Sequence, residues 1–204
     1  QLDGYKPEPS NALVVNVGDV MYDVILSAVE TAKETATILK DQGLEGKTYY
    51  VLTLHRAENT DDNERIERVI AFVNDMSQGT TVIFPVHPRT RKALTQIRSK
   101  FAGNVKMIEP LGYFNMVWLV SNSVLVFTDS GGLQKEAYWL RVPCITLREE
   151  TEWVETVRSG WNVLYGDYHG PHLPSSSHGA FYGDGKTAEK IITTLNEIFN
   201  RERT

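Results

Sequence analysis

The stretch Val124–Leu140, VLVFTDSGGLQKEAYWL, decides how the chain is read. Val124 to Phe127 are apolar and predict a buried strand. Thr128, Asp129 and Ser130 supply short polar side chains suited to a helix N-cap. Gly131 and Gly132 follow, and Leu133 to Leu140 predict a helix. A strand that ends in such a turn and opens a helix is a natural anion site. The first helical N–H groups lack intrahelical partners, and the macrodipole places roughly half a positive charge there. Paired glycines remove side-chain bulk, so a phosphate can approach the backbone closely. Glu136 lies one turn further on, where its carboxylate can accept bonds from sugar hydroxyls. On this reading Ser130, Gly131, Gly132 and Glu136 hold the diphosphate and ribose of a nucleotide sugar. The motif alone leaves a second reading open, a turn that carries Ser and Gly only because its geometry needs them. Ser130 does not fit a hydrolase elbow, G-x-S-x-G, because Thr128 stands where glycine is required.

Working outward, short apolar runs alternate with helical periodicities. Leu13–Val17 predicts a strand, and apolar spacing from Met21 to Leu39 predicts an amphipathic helix over about Val20–Lys40. Strands are expected at Tyr49–Leu54, Thr81–Val86, Val105–Ile108, Val142–Leu147 and around Val163. Helices follow them, one from His87-Pro88-Arg89 through about Lys100, one ending near Ser121 and one ending near Ser159. Residues 166–186, rich in Gly, His, Ser and Pro, predict a long surface loop, and 187–202 a closing helix. His169, His172 and His178 in that loop match no zinc spacing, so no metal is expected. Gly46-Lys47-Thr48 and Gly185-Lys186-Thr187 end like P-loops, but Asp41 and Ala180 occupy the upstream glycine positions.

Strands alternating with helices imply a single α/β domain with a doubly wound, mainly parallel, Rossmann-like sheet. Ligands of such sheets collect outside the carboxyl ends of the strands. The polar clusters fall at those ends: His55–Asn59, His87–Arg89, Glu109–Tyr113, Thr128–Gly132 and Arg148–Trp153. No G-x-G-x-x-G follows the first strand, so no nicotinamide or flavin cofactor is expected.

The 204 residues suffice for a sizeable core, with 41% apolar and 23% charged residues. A formal charge of −5 gives no support to nucleic acid or an anionic membrane as partner. No apolar run approaches the ~20 residues that span a bilayer, and no signal peptide is visible. The single cysteine, Cys144, sits in an apolar run and reads as a core thiol, which points to the cytoplasm. The chain opens at Gln1 without an initiator methionine, as a processed, truncated or deliberately cut piece would.

LTLHRAEN at Leu52–Asn59, FPVHPRTRK at Phe84–Lys92, TDSGGLQKEA at Thr128–Ala137 and VPCITLREETEWVE at Val142–Glu155 together resemble the non-hydrolysing UDP-N-acetylglucosamine 2-epimerase family. The related diacetamido-uronate epimerases share much of the pattern. The resemblance covers nearly the whole chain and is to the C-terminal half of a two-domain, glycosyltransferase-B type architecture. It implies a UDP-sugar ligand, an N-terminal domain absent from this chain, and homodimers as the usual assembly. It also implies elimination of UDP across C1 and C2 and its re-addition with C2 inverted. The proton-moving carboxylates would lie in the absent half, leaving this chain inactive alone.

Carried over by motif, His55 would contact the diphosphate and help its departure. Ser130, Gly131 and Gly132 would hold phosphates and Glu136 the ribose, while Leu111 and Met116 frame the uracil. Arg56, Glu58, His87, Arg89 and Arg148 are further cleft candidates. Trp153 is a cleft candidate too, standing where some relatives have arginine, so that its contact would not be ionic. Two other readings stay open, a glycosyltransferase half of the same fold and a non-catalytic UDP-sugar binding module.

Overall fold

The computed structural model describes residues 14–170 and 178–201. Six strands form one sheet: β1 Tyr49–Thr53, β2 Thr81–Pro85, β3 Val105–Ile108, β4 Leu125–Thr128, β5 Cys144–Thr146 and β6 Asn162–Leu164. Every neighbouring pair is parallel, in the order β3-β2-β1-β4-β5-β6. This is the expected doubly wound arrangement.

The helices are α1 Val20–Thr35, α2 Ile38–Asp41, α3 Ala57–Thr60, α4 Asn63–Met76, α5 Pro88–Leu94, α6 Tyr113–Ser121, α7 Gly131–Trp139, α8 Val154–Arg158 and α9 Thr187–Arg201. Strand alternation divides the core into two layers. Leu52, Leu54, Phe84 and Phe127 face one side with Ile66, Val69, Ile70 and Val73 of α4. Tyr49, Val51, Ile83 and Val126 face the other, against Leu119 and Val120 of α6 and Leu133 and Ala137 of α7. Cys144 lies in this second layer, and burial pushes its thiol up to about 12. Among the described residues no helix is long and apolar enough to cross a membrane.

Several expected boundaries differ for identifiable reasons. Residues 14–17 carry no strand, and Leu13 lies outside the described residues. The helix expected over Val20–Lys40 is interrupted after Thr35. The Asn115 side-chain oxygen on α6 accepts the N–H groups of Thr37 and Ile38, at 3.1 and 3.2 Å, which a continuous helix would give to its own carbonyls. α5 stops at Leu94 instead of Lys100. Glu67 of α4 accepts from the N–H of Arg98 and Ser99 and draws the chain away from the helix axis.

The segment 166–186 is not uniformly a surface loop. Tyr165–Asp167 form a 3-10 turn, and 171–177, with His172, lie outside the described residues. Residues 178–183 dock on the body of the domain. His178 stacks on Tyr138 at 4.1 Å, the Tyr138 hydroxyl donates to the Gly179 carbonyl at 2.6 Å, and Tyr182 is buried against Trp139. Lys135 of α7 ion-pairs with Asp19, and its Nζ lies 4.2 Å from the centre of the Trp153 ring. The closing helix α9 matches the expectation over its described length; 202 lies outside it.

Candidate functional site

Strand order reverses between β1 and β4. β2 and β3 extend from β1 to one side, while β4, β5 and β6 extend to the other. The chain therefore leaves the carboxyl ends of β1 and β4 in opposite directions, and a crevice opens between the two loops. A cleft of about 500 Å³ lies there, lined by Thr53, Leu54, His55, Pro85, His87, Pro110, Leu111, Met116, Ser130, Gly132, Leu133 and Glu136. Residues from four strand ends thus meet around one space.

The β4 wall is the start of α7. Ser130 is its N-cap, with Oγ accepting from the Leu133 N–H at 3.4 Å, and the Ser130 N–H is itself tied to Thr128 Oγ1 at 3.0 Å. The first intrahelical bond runs from Gln134 N–H to the Ser130 carbonyl. The N–H groups of Gly131 and Gly132 precede it and remain donors without a helical acceptor. Both glycines, expected to precede the helix, form its first residues. Gly132 is exposed, and a Cβ placed on it would approach only Ser130 Oγ, at 3.9 Å. Gly131 is buried and turned away from the cleft. Its carbonyl accepts from Trp153 Nε1 at 2.8 Å, and a Cβ there would face Arg56 and Glu152.

Glu136 lies one turn along α7 and is half-buried. Burial pushes its carboxyl above the ordinary carboxylate value, and a hydrogen bond from the Tyr113 phenol draws it partly back. The Tyr113 phenol is pushed up by burial and by the Glu136 charge. Leu111 and Met116, flanking the start of α6, form the apolar side of the cleft.

The β1 wall is organised by a residue that sequence reasoning had assigned only to the cap. Asp129 is fully buried. Its carboxylate accepts from the His55 N–H at 3.0 and 3.1 Å, the Arg56 N–H at 2.8 Å and Asn59 Nδ2 at 3.1 Å. His55 Nδ1 lies 3.2 Å from Asp129 Oδ1, while 42% of the His55 side chain is exposed. Burial pushes the Asp129 carboxyl up, and these donors more than offset it, so it rests below the ordinary range. Asn59 is buried too; Nδ2 also reaches the Leu147 carbonyl at 3.0 Å, and Oδ1 accepts from Arg65 Nε at 2.8 Å. The clue in the sequence was an acid between a strand and its cap. Its partners lie in the loop after β1 and on α3, and nothing in the sequence pairs β1 with β4.

The other candidates divide. His87 lines the cleft, its ring 6.0 Å from that of His55, with Nδ1 accepting from the Arg89 N–H. Arg89 turns elsewhere, bonding to Thr60 and, at 2.6 Å, to Asp61. Arg148 is buried, donating to Glu58 at 2.9 Å and to Glu152 at 2.9 and 3.1 Å, and Arg56 lies 3.8 Å from Glu152. Arg56, Glu58, Arg148 and Trp153 therefore form a network behind the first turn of α7 and do not line the cleft. Among the described residues no cluster of three or more His, Cys, Asp or Glu could hold a metal ion.

A family profile described as UDP-N-acetylglucosamine 2-epimerase matches residues 7–196. The chain is 43% identical to a UDP-N-acetylglucosamine 2-epimerase homolog of Methanococcus maripaludis, over 95% of this chain and 57% of that protein. It is 37% identical to the UDP-2,3-diacetamido-2,3-dideoxy-D-glucuronate 2-epimerase of Pseudomonas aeruginosa, over 94% of this chain and 55% of that one. The structure is similar to the Methanocaldococcus jannaschii UDP-GlcNAc 2-epimerase solved with UDP-GlcNAc and UDP. The TM-score is 0.76 at 32% identity, covering 93% of this chain and 56% of that one. The chain spans little more than half the length of the curated relatives it matches.

Proposed function

The chain belongs to the UDP-N-acetylglucosamine 2-epimerase family, and from that premise we propose that it is the UDP-binding half of a UDP-sugar 2-epimerase. One observation carries the reading: Ser130 and Gly132 at the first turn of α7, His55 and Glu136 share one cleft at the sheet's switch point. The diphosphate sits on the first turn of α7, where free N–H groups and the helix dipole favour negative charge. The ribose hydroxyls donate to Glu136, whose half-buried carboxylate gains acceptor bonds that burial denies it. Uracil lies against Leu111 and Met116, and His55 Nε2 meets a diphosphate oxygen. His87 is a further contact on the same wall.

In the reaction, the C1–O bond breaks as the C2 proton leaves, and UDP then adds back with C2 inverted. The base that takes the C2 proton belongs to an N-terminal half outside this chain, in a glycosyltransferase-B type arrangement. The length of the relatives supports that division. The sugar class is UDP-N-acetylglucosamine or a diacetamido-uronate analogue, both of which relatives' names include.

Titration calorimetry of the 204-residue chain with UDP tests the cleft, and an epimerisation assay with and without a restored N-terminal half tests the division. UDP binding with activity only in the longer protein is expected. Epimerisation by this chain alone would overturn the incompleteness. Sugar transfer to an acceptor by the longer protein would instead make it a glycosyltransferase, and binding without any turnover a sensor module.

A further inference from the structure

Resting on the assignment of His55 to the diphosphate, we propose that Asp129 is the positioning residue that fixes the His55 ring, keeping a proton on Nδ1 and turning Nε2 into the cleft. An ionised carboxylate can only accept hydrogen bonds, so the 3.2 Å contact between Asp129 Oδ1 and His55 Nδ1 requires the proton on Nδ1. Asp129 is fully buried, its donors hold it below the ordinary carboxylate range, and it remains an anion. The anion is itself held from behind. Arg65 Nε donates to Asn59 Oδ1, and Asn59 Nδ2 donates to both Asp129 Oδ2 and the Leu147 carbonyl. This chain of charge-assisted bonds runs from α4 through α3 to the end of β4 and terminates on the imidazole.

Stitching the β1 and β4 loops together needs only the His55 N–H, the Arg56 N–H and Asn59, all of which already reach Asp129. The ring contact is additional to that and bears on chemistry. As the C1–O bond breaks, its electron pair goes to the diphosphate oxygen, which takes the Nε2 proton of the imidazolium. The ring is left neutral with its proton on Nδ1, the tautomer that Asp129 stabilises. The C2 proton goes to a carboxylate base of the absent half. In re-addition the UDP oxygen attacks C1 and gives its proton to Nε2, while an acid of the absent half delivers a proton to the opposite face of C2, so that C2 emerges inverted. A neutral ring protonated on Nε2 would have no lone pair with which to recover the UDP proton.

Asp129→Asn separates the two roles. The carboxamide oxygen must replace Oδ2, which has the most N–H donors, so the NH2 group takes the place of Oδ1. It then donates to His55 Nδ1 and forces the ring proton onto Nε2. Nitrogen-15 histidine spectra of the 204-residue chain, with His55 assigned by His55→Gln, read the tautomer without substrate. The expected result is Nδ1–H in the wild type and Nε2–H in Asp129→Asn. A wild-type neutral ring protonated on Nε2 overturns the proposal whether or not the chain binds UDP, and does not depend on Asp129→Asn folding.

In the longer protein, Asp129→Asn should lower kcat about 100-fold or more with little change in KM, and His55→Gln should add no further loss. A fall in kcat with the tautomer unchanged also overturns it. An inactive wild-type longer protein counts against the epimerase reading alone.

Discussion

Two clusters on the same rim, separated by the first turn of α7, are built from similar residue types and behave differently. Behind the turn, Arg148 bonds to Glu58 and Glu152, Arg56 leans on Glu152, and the Trp153 indole N–H is given to the Gly131 carbonyl. Their hydrogen-bonding capacity is largely taken up by one another, and the result is a brace. In front of it, the Gly132 N–H precedes the helical ladder, and Glu136 has a single phenol partner. His55 is held by one ring nitrogen only. A rim becomes a ligand site where donors and acceptors outnumber their partners. Charged residue types at a strand end do not by themselves make one.

The contrast can be broken experimentally, and the largest effect is expected at the residue beneath both clusters. Asp129→Ala leaves the His55 N–H, the Arg56 N–H and one N–H of the buried Asn59 amide without an acceptor, at about 1–3 kcal/mol per group before water compensates. A loss of about 3–5 kcal/mol in urea unfolding is expected. Asp129 also sets a pH dependence. Its folded value is lowered, so its contribution is fully present above the ordinary carboxylate value. That contribution is lost as pH falls through the folded value. Unfolding measured across acidic pH should show this in the wild type and less of it in the variant; equal acid sensitivity would refute it.

Glu136→Ala comes next and acts on binding. A hydrogen bond to a charged group is worth about 1.5–3 kcal/mol, so UDP affinity by calorimetry should fall about 10- to 100-fold. Stability should not fall through loss of the charge, since burial disfavours the ionised carboxyl. Unchanged affinity would remove Glu136 from the site.

Arg148→Met should do the reverse. It removes a buried cation whose glutamate partners are about half exposed, so a stability loss of about 1–2 kcal/mol is expected with UDP affinity unchanged. A large loss of affinity would place the brace in the site.

The smallest effect tests shape. Gly132→Ala would meet only Ser130 Oγ, at an ordinary contact distance of 3.9 Å, and alanine favours a helix by about 0.5–1 kcal/mol. Thermal unfolding should therefore rise slightly while UDP affinity drops, because the added methyl occupies the approach to the backbone. Equal affinity would mean that no ligand approaches Gly132 closely.

Much of the fold was legible because its signals are local. The apolar runs at Tyr49, Thr81, Val105 and Leu125, and the cap at Ser130, are each set by a few adjacent residues. Errors fell where a distant side chain intervened. Asn115 breaks α1 from α6, Glu67 ends α5 from α4, and Tyr182 draws an apparent loop onto α1 and α7. Such contacts leave no trace in spacing.

The site divides in the same way. Its residue types, its position at strand carboxyl ends and its helix-start anion geometry were determined by the sequence alone. Local backbone preference and strand-helix alternation suffice for those. Only the tertiary structure decided that β1 and β4 are neighbours, and hence that the crevice opens there and that Asp129 reaches His55. Strand order is a long-range property, set by which apolar faces cover which, and no stretch of sequence carries it. The same packing turned Arg56, Arg89 and Arg148 towards carboxylate or hydroxyl partners and Glu58 towards Arg148, and left the cleft to His55, Ser130, Gly132 and Glu136.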